Sequence, residues 1–351
     1  MEKTPFCLSL KLCQFQSVFE IILIFASMAI RLRTYEHVSE VPDLPGKNLF
    51  HSVELFHVLE QTPGFRPLMV VAFEGSVPVG RLLCAARSIF SLTDFFQKVV
   101  VYGNGEYFNT TRRSDEIFAE ILSYLTTRFG DQVSFIEFRN IDEPLYAYRY
   151  FRASGYFPVR WLRVQNSIHQ NPVGKWMSSS RRKHIQQGLK RGAVLDTIKT
   201  EEELQQFFKL LKSYYSSKLS RYLPEFYFFH NLLEFKSEKE LGEIFTVKYK
   251  GKIIGGALCL FSDETAYLMV TGGLRKRYPM LHPNTLAVWN AMNYAHDKGY
   301  RHFEFFNAGL PFKKFGYRDF ILRFGGKQFG TRRWYHVRWN WINKLLIKFY
   351  V

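Results

Sequence analysis

Between His302 and Gly326 the sequence HFEFFNAGLPFKKFGYRDFILRFGG brings Glu304, Asn307, Tyr317 and Asp319 close together along the chain. A carboxylate can take the proton of an attacking amine, a phenol can return one to a leaving group, and an amide can orient a carbonyl. Groups of these types can carry acid–base chemistry, provided the reactants are held together. Glu304 and Asp319 are the candidate bases, Tyr317 the candidate acid and Asn307 the carbonyl-orienting group. Each has a plainer alternative: Glu304 as an ion-pair partner in a basic stretch, Asn307 as a turn cap. His282, before Pro283, is either a base or a turn residue. The sequence contains no nucleophile elbow, P-loop or metal-ligand spacing, so no metal is expected.

The elements that must position these residues begin near Ile244. Ile244 to Tyr249, Ile253 to Phe261 and Thr265 to Val270 are β-branched or aromatic runs separated by Lys250-Gly251-Lys252 and Ser262-Asp263-Glu264. Runs and turns of this kind predict an antiparallel meander. Pro283-Asn284-Thr285 opens a helix, with Asn284 as the expected cap. Leu286, Trp289 and Met292 recur at helical spacing, and Gly299 ends it. His302 to Phe306 then reads as a strand, and a helix joining two strands predicts a parallel neighbour.

This order resembles the core of the GNAT acyltransferase superfamily. The helix PNTLAVWNAMNYAHDKGY, the strand ending in FNAG and the segment FILRFGG are similar to the second half of FemAB-type aminoacyl- and acyltransferases. The resemblance runs from about Ile30 onward. It implies an α/β (α+β) chain of two tandem GNAT-like domains, each a mixed, mostly antiparallel sheet flanked by helices. Catalysis would lie mainly in the second, at a V-shaped gap between splayed strands. The implied donor is aminoacyl-tRNA or acyl-CoA, with no tightly bound cofactor. Lys218 and Arg221 fall where that family shapes the acceptor side, which makes them candidate substrate anchors. Two departures matter. GNAT enzymes using acyl-CoA usually carry a glycine-rich Q/R-x-x-G-x-G/A loop, where this chain reads RKRYPMLHPNTL; Arg275, Lys276 and Arg277 would have to hold phosphate by charge. The family often shows F-K-x-x-F-G-G where this chain has Phe320 to Gly326, with Ile321 at the lysine position. Arg323, Lys313 and Lys314 are the candidate substitutes.

The first half repeats the plan in element order, though not in letters. Strands are expected at Ile30 to Tyr35, Leu68 to Phe73, Val79 to Ala86, Gln97 to Tyr102, Val133 to Phe138 and Tyr156 to Asn166. Helices are expected at Leu55 to Glu60, from Ser114 to a stop at Gly130, and at Tyr148 to Ser154. The expected divisions are 1–28, a non-native extension or weak anchor; 29–168, the first GNAT-like domain; 169–243, a basic linker and helical segment; and 244–351, the second GNAT-like domain.

A chain of 351 residues with 47% hydrophobic content can bury two cores. Its net charge of +17 predicts an anionic partner. Cys7, Cys13, Cys84 and Cys259 are scattered, which suits inert thiols in a reducing compartment. Arg181, Arg182 and Lys183, with Lys190 and Arg191, would line a helix after Ser178 or Ser179 and contact phosphates. From Pro311 to Val351 there are ten Lys or Arg and one acid, Asp319, mixed with Trp334, Trp339 and Trp341. That mixture suits a final strand and a short packed helix, with a basic face for the headgroups of an anionic membrane. The expected function is N-acyl or aminoacyl transfer to an anionic envelope precursor or lipid, by a cytoplasmic protein at the inner membrane face. The alternatives are an acyl-CoA-dependent N-acetyltransferase for a small molecule, and a non-catalytic binder of nucleic acid or lipid.

Overall fold

The structure is a computed structural model that describes residues 30–350 apart from 91–92, 109, 111, 142, 216–222 and 236–239. The expectations for residues 1–28, for Cys7 and Cys13, and for Lys218 and Arg221 lie outside the described residues. The strands are β1 (Ile30–Tyr35), β2 (Phe65–Glu74), β3 (Val77–Phe90), β4 (Thr93–Tyr102), β5 (Glu106–Tyr107), β6 (Phe135–Arg139), β7 (Phe157–Ser167), β8 (Val194–Thr197), β9 (Gly242–Tyr249), β10 (Lys252–Ser262), β11 (Thr265–Gly273), β12 (His302–Phe305) and β13 (Lys327–Val337). The helices are α1 (Val53–Glu60), α2 (Ser114–Phe129), α3 (Tyr148–Ala153), α4 (Ser179–Lys190), α5 (Glu201–Tyr214), α6 (Phe226–Glu234), α7 (Pro283–Asp297), α8 (Gly316–Leu322) and α9 (Asn340–Tyr350).

Local chemistry sets most of these limits. Lys250 and Gly251 both take positive φ, as the tight turn between β9 and β10 requires. Ser178 Oγ accepts from the Arg181 amide and starts α4. The cap expected at Asn284 is displaced: His282, in the left-handed region, is the N-cap of α7, and Pro283 is the first helical residue. Proline fits there because its missing N–H would have no partner, and Asn284 is left inside the first turn. Sequence reading did not find β5, β8 or α8, which are short and lack a clean period.

The thirteen strands among the described residues belong to one sheet, in the order β1-β2-β3-β4-β6-β13-β7-β12-β11-β10-β9-β8, with β5 on β3. Its two arms match. In each, an antiparallel meander ends on a strand parallel to the next, β4 to β6 and β11 to β12. The closing strands are exchanged between arms. β7, from the first half, pairs with β12. β13, from the second, pairs with β6 and inserts Trp334 into the core of the first half. One core lies under α4 and α7. A second lies where α1 and the opposite-side helices α5 and α6 meet both arms. A third lies under α2 and α3. No helix among the described residues is long and apolar enough to cross a membrane.

Trp334 is fully buried and stacks on Phe151 at 4.6 Å between ring centroids. Trp334→Ala should cost about 3–5 kcal/mol of stability in urea denaturation. Because the strand carrying it belongs to the other half, both halves should lose their protection in one transition. Separate transitions for the two halves would contradict that coupling.

Candidate active site

β11 and β12 run side by side for only four residue pairs, ending at Leu268 and Phe305. β11 continues to Gly273 with no strand partner on that edge among the described residues. The pairing of β10 with β11 shows why: Leu258 faces Val270 and Cys259 faces Leu268, so Met269 is an extra residue in β11. A bulge of this kind bends a strand away from its neighbour and re-aims its peptide groups. Past it, the Leu274 amide bonds Ile254 on β10, while the Thr271 carbonyl accepts from the Tyr215 hydroxyl at 3.3 Å. Peptide groups beyond the parting of two strands can serve a carbonyl substrate. The parting lies in the second half, where the gap is expected. In the first half β4 pairs with β6 as far as its last residue, Tyr102.

Side chains from three helices converge on this gap. Tyr317, on α8, is half-buried. Burial, with the hydroxyls of Tyr215 and Tyr214 within electrostatic reach, holds its phenol well above the ordinary range. It stays protonated at neutral pH, so it can donate a proton and cannot accept one. Tyr214 accepts from Asn284 Nδ2 at 3.0 Å, and Asn284 Oδ1 is buried without a partner among the described residues. The start of α7 presses on the strands: a Cβ on Gly273 would lie 2.2 Å from Asn284 Oδ1, and one on Gly255 would lie 2.8 Å from the Pro283 ring. Glycine is needed at both places for close approach, not for an unusual φ.

The N-terminus of α7 is strongly electropositive. It has no acid in its first turn. Arg181 is buried beside it, giving one hydrogen bond to Thr285 Oγ1 and another to the Phe320 carbonyl, with its guanidinium 4.4 Å from the centres of both Phe320 and Phe324. Burial and then nearby Arg323 lower its pKa to about 10. His184 and His282 stack at 4.0 Å, and burial lowers both below their ordinary value. Helix dipole and side chains act together here to attract an anion.

Arg181 thus departs from the expected surface cation: it is buried and braces α7, because the apolar face of α4 that carries Ile185 also carries its stem. Arg182 and Lys183 are exposed, Arg182 bonding the Met177 carbonyl. Arg275, Lys276, Arg277, Lys313, Lys314 and Arg323 are exposed around the α7 and α8 ends. Asn307 is exposed just past β12. Glu304 is not in the gap. It is buried on the face shared with Tyr267 and Gln165, with both oxygens 3.4 Å from Arg163 Nη1 and one 3.3 Å from Gln165 Nε2. Its ion-pair alternative is the arrangement present. Asp319 is exposed on α8.

The same sheet face carries a group of residues that sequence reading missed. Glu137 is buried on β6, held by Arg139 in a two-pronged pair at 2.9 and 3.1 Å and by Arg333 at 3.0 Å; the Tyr335 hydroxyl donates to it at 3.0 Å. Lys98 lies close by at 6% exposure, with its ammonium over Phe135 and no hydrogen bond or ion pair among the described residues. Burial, then Arg87, lowers Lys98 to about 8. Three cations thus flank one carboxylate. Alternation along β6, apolar at Ile136 and Phe138 and charged at Glu137 and Arg139, was the available signal. Among the described residues no group of three or more His, Cys, Asp or Glu could hold a metal.

Comparison with known proteins fits this geometry. Residues 179–314 match the family model described as an acetyltransferase (GNAT) domain. A search of curated sequences finds no match. Among solved structures, FemX superposes with a TM-score of 0.61 at 14% identity, covering 90% of this chain and 99% of its own. A tandem GNAT protein from the clavulanic acid biosynthesis pathway gives 0.53 at 12%, covering 88% and 99%. L-PGS from Bacillus licheniformis gives 0.51 at 12%, covering 87% and 97%. At these identities the likeness is one of fold, and the domain match supplies the chemistry: the chain is an acyltransferase with a GNAT domain in its second half, set in the FemAB-like tandem fold.

Proposed function

We propose that the protein transfers an acyl or aminoacyl group to a primary amine of an anionic cell-envelope precursor or lipid, working in the cytoplasm at the inner membrane face. The reading rests on one juxtaposition: the strand gap after Leu268 opens beside a helix start ringed by cations. Past the bulge, β11 peptide groups hold the donor carbonyl. As the amine attacks and the acyl C–O or C–S bond breaks, Tyr317 protonates the leaving oxygen or sulfur, and the proton shed by the amine returns to its phenolate. Asn307 and Arg323, at the mouth, orient the donor. Phosphates of the donor lie against α7 and the side chains of Arg275, Lys276, Arg277, Arg182 and Lys183, with Lys313 and Lys314 on the opposite rim.

The loop before α7 favours aminoacyl-tRNA as that donor. The amides of Leu274, Arg275, Arg277, Tyr278 and Leu281 already bond backbone carbonyls. They form no nest for a pyrophosphate, so recognition falls to long cationic side chains, which suit a polynucleotide. The domain match keeps acyl-CoA as the second reading. Filter binding with aminoacyl-tRNA and calorimetry with acyl-CoA separate them: micromolar or tighter, salt-sensitive tRNA binding is expected, and tight acyl-CoA binding without tRNA binding would replace the first donor by the second.

The acceptor's anionic group is proposed to rest on the Lys98, Arg139 and Arg333 face. Two kinetic results follow. Tyr317→Phe should lower kcat about 100-fold with little change in donor KM, and unchanged kcat removes Tyr317 from the chemistry. Lys98 must be charged to bind an anion, and its proton leaves near pH 8, so acceptor KM should rise as pH increases through about 8. Lys98→Arg should abolish that rise while keeping affinity; a rise that persists in Lys98→Arg assigns it to another group.

A further inference from the structure

The last helix, α9, is apolar on two sides. Its inner side is fixed. Asn343 is buried, accepting from the Val337 amide at 3.0 Å and donating to the Gly155 carbonyl at 2.9 Å, and Tyr350 stacks on Phe157 at 5.5 Å. These contacts set the rotation of the helix. Its outer side should then be polar, as on an ordinary surface helix. Instead it presents Trp341, Leu345 and Phe349, at 71%, 60% and 81% exposure. Residues four apart lie about 40° apart around a helix, so the three form one slightly slanted stripe. Lys344 and Lys348, both exposed, run along one edge of it. From Phe320 to Val351 the chain has seven Lys or Arg and no acid.

We infer that this stripe docks on the surface of an anionic lipid bilayer. Large apolar side chains facing water in a row, bordered by lysines, match the boundary between headgroups and acyl chains. The rings and Leu345 enter the apolar layer, and the lysine stems extend back to the phosphates. Charge selects this occupant. A second copy of the chain would set Lys344 and Lys348 against an equally basic segment that holds no acid to pair with them. The helix spans about 16 Å and lies in the interface without crossing it. The inference deepens the membrane-side placement proposed above and rests on that reading for its biological setting, but its test is read without the reaction.

The test is co-sedimentation of the full chain with vesicles of phosphatidylcholine alone and with half phosphatidylglycerol. Binding to the anionic vesicles is expected. The triple variant Trp341→Ser, Leu345→Ser, Phe349→Ser should lower the partition coefficient by ~100-fold or more. Lys344→Gln with Lys348→Gln should lower it roughly 30-fold on anionic vesicles and little on neutral ones, at ~1 kcal/mol for each lysine. Circular dichroism and light scattering accompany each variant. Equal binding by wild type and a folded triple variant overturns the inference, as does absence of binding to anionic vesicles. So does a wild-type dimer that the triple variant converts to monomer, which would make the stripe a contact between copies. Acyl transfer to a water-soluble amine, assayed in parallel, judges the proposed reaction alone.

Discussion

Nine consecutive residue pairs join β7 to β13, from Lys327 with Gln165 to Tyr335 with Phe157. This ladder is the hinge of the architecture, because each of its strands belongs by sequence to one half and on its outer edge pairs with the other. The halves cannot separate without breaking backbone hydrogen bonds on both sides and removing Trp334 from the far core. The two arms are therefore fixed relative to each other. The face between them, where Arg163, Glu304, Glu137 and Arg333 lie, is a floor of defined geometry and not a mobile seam between domains.

That rigidity lets the protein hold charge in places where it would otherwise be costly. Lys98 and Arg181 are both buried, and neither has an ion pair among the described residues; in each case desolvation opposes the charged form. An uncompensated buried cation is strongly unfavourable. At Arg181 the cost is offset by hydrogen bonds to Thr285 and Phe320 and by two aromatic faces. At Lys98 the acid that acts on it, Glu137, is already occupied by Arg139 and Arg333. The excess positive charge there is the physical reason for assigning an anion to that face.

The parting of β11 and β12 coincides with a bulge in β11 at Met269. β12 is paired along its whole length, to Phe305, and β11 runs past it through the extra Met269 to Gly273, whereas β4 and β6 end together at Tyr102 and Arg139. Beyond the bulge β11 runs beside the start of α7, with tyrosines from α5 and α8 close by. The two arms share a topology and differ at this parting of strands, which is the ground for proposing the reaction in the second arm.

Much of this was readable from residue order. The meander from Ile244, the α7 helix with Gly299 just past its end, the parallel strand after it and the repeat of element order in the first half all follow from periods of two and 3.6 and from turn residues, which are local properties. The cluster of basic and aromatic residues near the C-terminus was also visible. Tertiary structure decided what local pattern cannot carry. Exchange of β7 and β13 depends on pairing between strands some 170 residues apart. Glu304 became a buried ion-pair member because β7 brought Arg163 and Gln165 to it. Arg181 turned inward because α4 packs on α7, and Lys98 gained its importance from β6 and β13. A side chain's chemistry is written in the sequence; its partners, exposure and proton affinity depend on which distant strand lies beside it.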